Sequence, residues 1–386
     1  MNGDGFDDIL IGARDADPNG IYNAGESYVV FGKAGGFSSS IDLSSLDGSN
    51  GFVLNGIDEF DISGFSVSSA GDFNGDGFDD ILIGARDADP NGNAGESYIV
   101  FGKAGGFDGS FDLSSLEGSN GFVLNGIDAF DRSGISVSSA GDVNGDGFDD
   151  ILIGAFEADP NGNSSAGESY VVFGKVGGFS SSFDLSSLDG SNGFVLNGID
   201  ASDRSGISVS SAGDVNGDGF DDILIGAFTA DPNGNSFAGE SYVVFGKAGG
   251  FDGSFDLSSL DGSNGFALNG IERFDLSGRS VSSAGDVNGD GFDDILIGAS
   301  TADPNGNREA GESYVVFGKA GGFSSIIDLS SLDGSNGFIL NGIDRYDDSG
   351  YSVSSAGDVN GDGFDDVIIG ARFADPAGES YKGITP

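Results

Sequence analysis

Apolar residues along this chain come in short blocks rather than helical stripes. Within 65–125 they fall in four runs, 65–71, 80–85, 97–101 and 121–125, separated by clusters of Gly, Asn, Asp and Ser. Such clusters read as turns and the runs between them as strands. Ile81, Leu82 and Ile83 are apolar in succession, as are Tyr98, Ile99, Val100 and Phe101. Strands apolar on both faces must be covered on both faces. The first run, FSVSSAG, carries small side chains, which suits a crowded position near an axis. No segment has the 3.6-residue period of an amphipathic helix. The stretch DLSSLDGS predicts one 3₁₀ turn.

The pattern repeats. The block NGDGFDDILIGA begins at Asn2 and returns, nearly unchanged, at Asn74, Asn144, Asn216, Asn288 and Asn360. The chain of 386 residues reads as a single array with units 1–64 (partial), 65–134, 135–206, 207–278, 279–350 and 351–386 (partial). Four antiparallel strands per unit, covered on both faces and repeated, predict an all-β fold. The expected form is a β-propeller of four-stranded antiparallel blades, about six units with incomplete first and last blades. A straight solenoid is the rival, but its repeats are shorter, ~20–45 residues. The C-terminus is expected to supply strands one and two of a blade and a short third at 379–384. Local hairpin closure predicts that 366–371, not 8–13, pairs with the last first strand. A start inside the motif points to a fragment or an engineered array. Unpaired terminal strands are open edges, through which self-association is expected.

Composition narrows the function. Fifteen Lys and Arg face 63 Asp and Glu, a formal charge of −48. That is the reverse of a nucleic-acid footprint, and it disfavours anionic membranes. Without His or Cys, neither Ser-His-Asp nor Cys-His chemistry, nor His-ligated zinc, nor any disulfide is available. No apolar run reaches the ~18 residues of a bilayer span.

The acidic loop is the strongest chemical signal. Asp72, Asn74, Asp76 and Asp80 put oxygen side chains at positions 1, 3, 5 and 9 of a loop with Gly77 at position 6. Calcium takes six to eight oxygens, and the carbonyl of Phe78 at position 7 adds another. Position 12 is Ile83, and a strand-like run follows, so the loop is read as a calcium-binding β-hairpin rather than an EF-hand. The set recurs as Asp142, Asn144, Asp146, Phe148, Asp150, and as Asp214, Asn216, Asp218, Phe220, Asp222. It recurs again as Asp286, Asn288, Asp290, Phe292, Asp294, and as Asp358, Asn360, Asp362, Phe364, Asp366. The N-terminal copy keeps Asn2, Asp4 and Asp8. Five complete calcium sites and a candidate sixth are therefore expected. The alternative is that Asp and Asn serve only as Asx-turns.

These residues resemble a known family. SGFSVSSAGDFNGDGFDDILIGA is similar to the FG-GAP repeat of integrin α-subunit propellers and their bacterial relatives, and the likeness covers nearly the whole chain. The resemblance implies a calcium loop joining strands one and two on one face, with ligands engaging the opposite face. The family's Phe before Gly is Ser63, Ser133, Ser205, Ser277 and Ser349 here. Its Pro after Gly-Ala is Arg86, Phe156, Phe228, Ser300 or Arg372.

The units differ from one another mainly in the segments joining strands two to three and four to one. In an up-and-down blade both lie opposite the acidic hairpins. All nine arginines fall in or beside them, with Phe60, Phe130, Phe156, Phe228, Phe274 and Tyr346. Arg and aromatic residues are typical binding hot spots; Arg132, Arg204, Arg273 and Arg345 are the candidate partner contacts. The alternative is surface drift, with Arg neutralising Asp128, Asp131, Asp200 and Asp203. The segment 87–92 resembles half a calcium loop but reads as a Pro-Asn-Gly turn. Glu26, Glu96, Glu168, Glu240 and Glu312 recur before each third strand, which suggests a structural hydrogen bond. Nearly every acid is copied at equivalent positions, so no unique catalytic pair stands out and no enzyme is expected. The expected function is a calcium-binding extracellular module for adhesion, recognising a protein or glycan. A calcium-stabilised spacer of a surface protein is the alternative, and a carbohydrate-active enzyme a distant third.

Overall fold

The computed structural model describes residues 1–90 and 92–375. Asn91 of the Pro-Asn-Gly turn and the short strand expected at 379–384 lie outside the described residues. Among the described residues there are strands and single 3₁₀ turns but no α-helix. The second repeat illustrates the plan: Ser66–Gly71, Asp80–Ala85, Glu96–Val100 and Gly121–Asn125 pair in chain order, all antiparallel. The first strand begins one residue later than expected, and the third starts and ends one residue earlier. The predicted 3₁₀ turn is present at Leu113–Ser115.

The sheets gain a strand that the pattern did not predict. Ser182–Asp184 of the next repeat lies parallel to Gly121–Asn125, and Ser110–Asp112 lies parallel to Gly51–Asn55. The second repeat's blade is thus four antiparallel strands edged by a parallel fifth, and the first sheet is three antiparallel strands edged by a parallel fourth. The last first strand, Ser349–Gly357, pairs with Asp366–Ala371 as local closure requires.

Chain contacts separate two compact units. One comprises Met1–Ser211, Phe220–Ile223 and Gly246–Ser259. The other comprises Ala212–Gly219, Leu224–Phe245 and the described residues from Leu260. In the first, alternation along the second strand serves two layers. Ile81 and Ile83 pack with Phe52, Leu54 and Tyr98 of one core. Leu82 packs with Ile151, Ile153 and Tyr170 of the next. In the second unit, Ile295 and Ile297 join Phe266 and Leu268, while Leu296 joins Val353. This is why the run is apolar at every position. Small residues in the first strands allow them to adjoin, and the Ser66 Oγ accepts the Val137 N–H at 3.1 Å. The layered four-stranded blades are those of a β-propeller.

Close approach also explains the Gly of Gly-Ala in the second strand. A Cβ on Gly154 would lie 2.0 Å from the Gly206 carbonyl oxygen. The serines standing for the family's Phe are buried at 63, 133, 205 and 277, and their hydroxyls have no hydrogen-bond partner. Gly154→Ala should cost about 1–3 kcal/mol, because backbone rather than a side chain must yield. A urea-unfolding midpoint unchanged from the parent would contradict that reading.

Candidate metal loops and the opposite loop face

Each acidic hairpin is folded by its glycines. In the second repeat Gly75 and Gly77 sit at φ 71° and 87°, turning Asp72, Asn74, Asp76 and Asp80 into one loop. Asp72 accepts the N–H groups of Asp76 at 2.9 Å and Gly77 at 3.0 Å. The Asp76 carboxylate accepts the Phe78 N–H at 3.0 Å. The Asn74 amide donates to both oxygens of Asp80, at 3.3 and 3.2 Å. Asp80 is fully buried and accepts the Gly102 N–H at 2.8 Å.

The same arrangement brings together Asp142, Asn144, Asp146 and Asp150. It also joins Asp286, Asn288, Asp290 and Asp294, and Asp358, Asn360, Asp362 and Asp366. Asp214 takes the amides of Gly217, Asp218 and Gly219. In the N-terminal copy, Asn2 accepts the Asp4 N–H, Asp8 accepts the Gly32 N–H, and the Met1 ammonium stands 3.5 Å from Asp8.

The donor chemistry fits a hard dication. Three carboxylates and an amide share nine residues, and among the described residues Asp72, Asp76 and Asp80 form no ion pair with Lys or Arg. Burial, and then the charges of Asp76 and Asp72, push the Asp80 carboxyl up to about 8. Burial does the same to Asp150. As the loops stand, their oxygens are engaged by loop amides, and among the described residues no three acidic side chains form a closed metal-holding group.

Two roles in the hairpin were missed from the sequence. The first Asp of the Asp-Asp pair reaches back to the preceding loop. Asp149 accepts the Asp72 N–H at 2.7 Å, Asp221 that of Asp142 at 2.8 Å, and Asp365 that of Asp286 at 2.9 Å. The Phe at position 7 covers a glycine of the preceding loop: a Cβ on Gly75 would lie 2.3 Å from the Phe148 ring. The recurrence of both the first Asp of the pair and the Phe in every copy was the available signal.

On the other connections, the strand four-to-one segment docks on the two-to-three segment. The Phe60 N–H donates to the Tyr22 carbonyl, Phe130 to Asn93, Phe274 to Ser236 and Tyr346 to Arg308, at 3.0–3.1 Å. These four aromatic residues sit at φ 69–73° and are exposed, Phe130 by 69%. The drift alternative has Arg neutralising Asp128, Asp131, Asp200 and Asp203, and two of the arginines meet acids outside that set. Arg132 lies 3.9 Å from Asp87, and Arg204 3.5 Å from Glu157. Asp131 and Asp203 are instead buried, accepting the amides of Asp128 and Asp200. Arg273 and Arg345 stack on Phe274 and Tyr346, 4.4 and 5.2 Å from the ring centres.

The equivalent segments of later repeats are turns, at Pro160–Gly162 and Pro304–Gly306: Asp159 accepts the Ser165 N–H, and Asp303 accepts that of Glu309. Each recurrent Glu accepts a Tyr hydroxyl, as for Tyr98 on Glu96 at 2.6 Å and Tyr170 on Glu168 at 2.7 Å. No helix among the described residues is long and apolar enough to cross a membrane.

Antiparallel blades carrying an acidic hairpin in every repeat define a β-propeller repeat protein. The FG-GAP repeat model matches residues 1–30, 63–100, 133–172, 205–244, 277–316 and 349–384, and the chain belongs to that family. It is similar to integrin alpha-5 of Xenopus laevis, 32% identical over 176 residues, covering 44% of this chain and 15% of the relative. It is also similar to phosphatidylinositol-glycan-specific phospholipase D of Bos taurus, 32% identical over 183 residues, 47% of this chain and 20% of the relative. Integrin alpha pat-2 of Caenorhabditis elegans is 28% identical over 259 residues, 64% of this chain and 18% of the relative. The chain thus spans no more than a fifth of these relatives' length.

Proposed function

We propose that this chain is a calcium-binding extracellular recognition module that holds a protein or glycan on the loop face opposite the acidic hairpins. The observation that carries the reading is the hairpin itself: three carboxylates within nine residues, one fully buried, with no ion pair to Lys or Arg among the described residues in the second repeat. Bound calcium supplies positive charge that relieves this repulsion and ties the two strands of the hairpin together. The loop's own residues do the rest. Asp80 fixes the end of the third strand through Gly102, and Asp149 couples successive loops. Extracellular calcium modules bind at roughly 10⁻⁴–10⁻³ M, a concentration range outside the cytosol.

Exposed aromatic residues beside Arg273 and Arg345 support a partner on the opposite face, since neither guanidinium has a carboxylate in ion-pair reach among the described residues. The pairing of Arg132 and Arg204 within the chain favours the second reading, a calcium-stabilised spacer. We infer no catalytic role, because the acids recur at equivalent positions in successive repeats. Calorimetric titration of chelator-stripped protein tests the metal. Five or six calcium ions per chain are expected. No heat at millimolar calcium would reduce the hairpins to turns and remove the main support for the extracellular reading.

A further inference from the structure

In four repeats the strand four-to-one segment turns on an aromatic residue in the left-handed region: Phe60, Phe130, Phe274 and Tyr346, at φ 71°, 73°, 72° and 69°. Two costs meet there. A bulky side chain is disfavoured at positive φ, and the rings of Phe60, Phe130 and Phe274 are exposed by 56%, 69% and 48%. Neither cost is needed to fold the turn. The third repeat places Ser202 at φ 73° in the same turn, with its N–H on the Ser164 carbonyl at 2.8 Å. At other left-handed positions the chain uses Asn, as at Asn19, Asn161, Asn233 and Asn305. An exposed ring kept where Ser or Asn would serve points to contact with something outside the chain.

The surroundings of Phe274 give the chemistry. Phe237 stacks on it, with 5.6 Å between ring centres and 14° between planes, which makes a two-ring platform. The Arg273 guanidinium carbon lies 4.4 Å from the Phe274 ring centre. Beside them opens a pocket of about 390 Å³, to which the next two-to-three segment supplies Thr301, Asp303 and Arg308. Three of the pocket's acids are already engaged. Asp275 accepts the Glu272 N–H at 2.9 Å, Asp303 accepts the Glu309 N–H at 2.7 Å, and Glu309 pairs with Arg308 at 3.0 Å. Arg273 has no carboxylate in ion-pair reach among the described residues, and its planar N–H fork suits an incoming carboxylate or sulfate. The row continues into the fifth repeat. Arg308 lies 5.7 Å from the Tyr346 ring centre, and Arg345 lies 5.2 Å from the same ring.

We propose that this row is a binding track for an acidic polysaccharide, with sugar rings on Phe237, Phe274 and Tyr346 and their carboxylate or sulfate groups on Arg273 and Arg345. The inference rests on the recognition reading above and adds the class of ligand. A pyranose has an apolar C–H face that lies flat on an aromatic ring. Its anionic substituent projects from the edge of the sugar, where the stacked guanidinium stands. One ring and one guanidinium per repeat suit a polymer that itself repeats, whereas a globular partner has no such period. The chain's charge of −48 repels a polyanion at long range, so binding is short-ranged and favoured by physiological salt over low salt. It should also tighten with ligand length, once one molecule spans both Phe274 and Tyr346.

Immobilised hyaluronan, with a carboxylate on every second sugar, should bind the full chain saturably in millimolar calcium and physiological salt. Neutral dextran should not bind, and poly-glutamate, an anion without sugar rings, should not compete. Dextran sulfate in place of hyaluronan tells which anion is preferred, and binding of either through these residues supports the proposal. Arg273→Ala combined with Phe274→Ser reproduces Ala201 and Ser202 of the third repeat. Circular dichroism of that variant should be unchanged while binding falls about tenfold or more. Glu272→Gln removes a carboxylate from the pocket and should tighten binding about threefold. Full binding by the double variant, or equal competition by poly-glutamate, would overturn the proposal. Dextran held as tightly as hyaluronan would also overturn it; if the double variant releases that dextran, the recognition reading stands and only the anionic assignment falls. Failure of both anionic polymers overturns the proposal too, and leaves a protein partner on the same loops untouched.

Discussion

Asp150→Ala should destabilise its hairpin by about 2–5 kcal/mol, whereas Asp150→Asn should cost well under half of that. The carboxylate is fully buried and accepts two backbone amides, Gly174 at 3.0 Å and Val143 at 3.1 Å. Ala leaves both donors buried without a partner, at about 1–3 kcal/mol each. Asn keeps one acceptor oxygen for Gly174 and removes a charge that burial already disfavours. The effect is local in a repeat array, where each unit leans mainly on its neighbours, so amide exchange is the informative readout. Gly174 and Val143 should lose protection in the Ala variant, and Gly174 should keep it in the Asn variant. Equal loss in both would mean that the charge, and not the acceptor geometry, organises the turn.

The blade strands were legible because their signals are local. Apolar runs such as Ile81-Leu82-Ile83 are bounded by Gly and Asp turns and recur in every unit. The loop residues were legible for the same reason, since Asp72 through Asp80 lie within one turn. What escaped depends on the neighbouring repeat. Ser110–Asp112 is only three residues long, and its partner strand, Gly51–Asn55, lies in the preceding unit. Asp149 looked like a bystander beside Asp150, since its contact is with Asp72 one unit earlier. The arginine contacts escaped for another reason, their separation along the chain within one repeat. Arg132 and Arg204 meet Asp87 and Glu157 on the strand two-to-three segments of their own repeats, while Asp131 and Asp203 serve as buried turn acceptors.

Calcium and protons should act in opposite directions on stability. In chelator, the thermal midpoint is expected to fall as pH rises from 5.5 to 8. Burial raises Asp80 and Asp150 to about 8, and Asp61, Asp131, Asp275 and Asp294 to about 7. An unfolded Asp titrates near 3.9. Between these values the folded chain holds more protons than the unfolded one, so stability drops with increasing pH. The contribution is fully present below about 4 and is lost as pH passes through 7 to 8. In excess calcium the sign reverses, because the ion binds only the deprotonated carboxylates and competes with those protons. A ligand at a hundred times its dissociation constant adds about 2.7 kcal/mol per site, and several sites share the chain. The calcium-loaded midpoint at pH 8 should therefore exceed the metal-free one by more than about 10 °C, with the gap narrowing towards pH 5.5. Scanning calorimetry over this range decides the matter. A metal-free midpoint that rises with pH would show that the buried aspartates are held charged by the fold itself, and the hairpins would then have no electrostatic need of an ion.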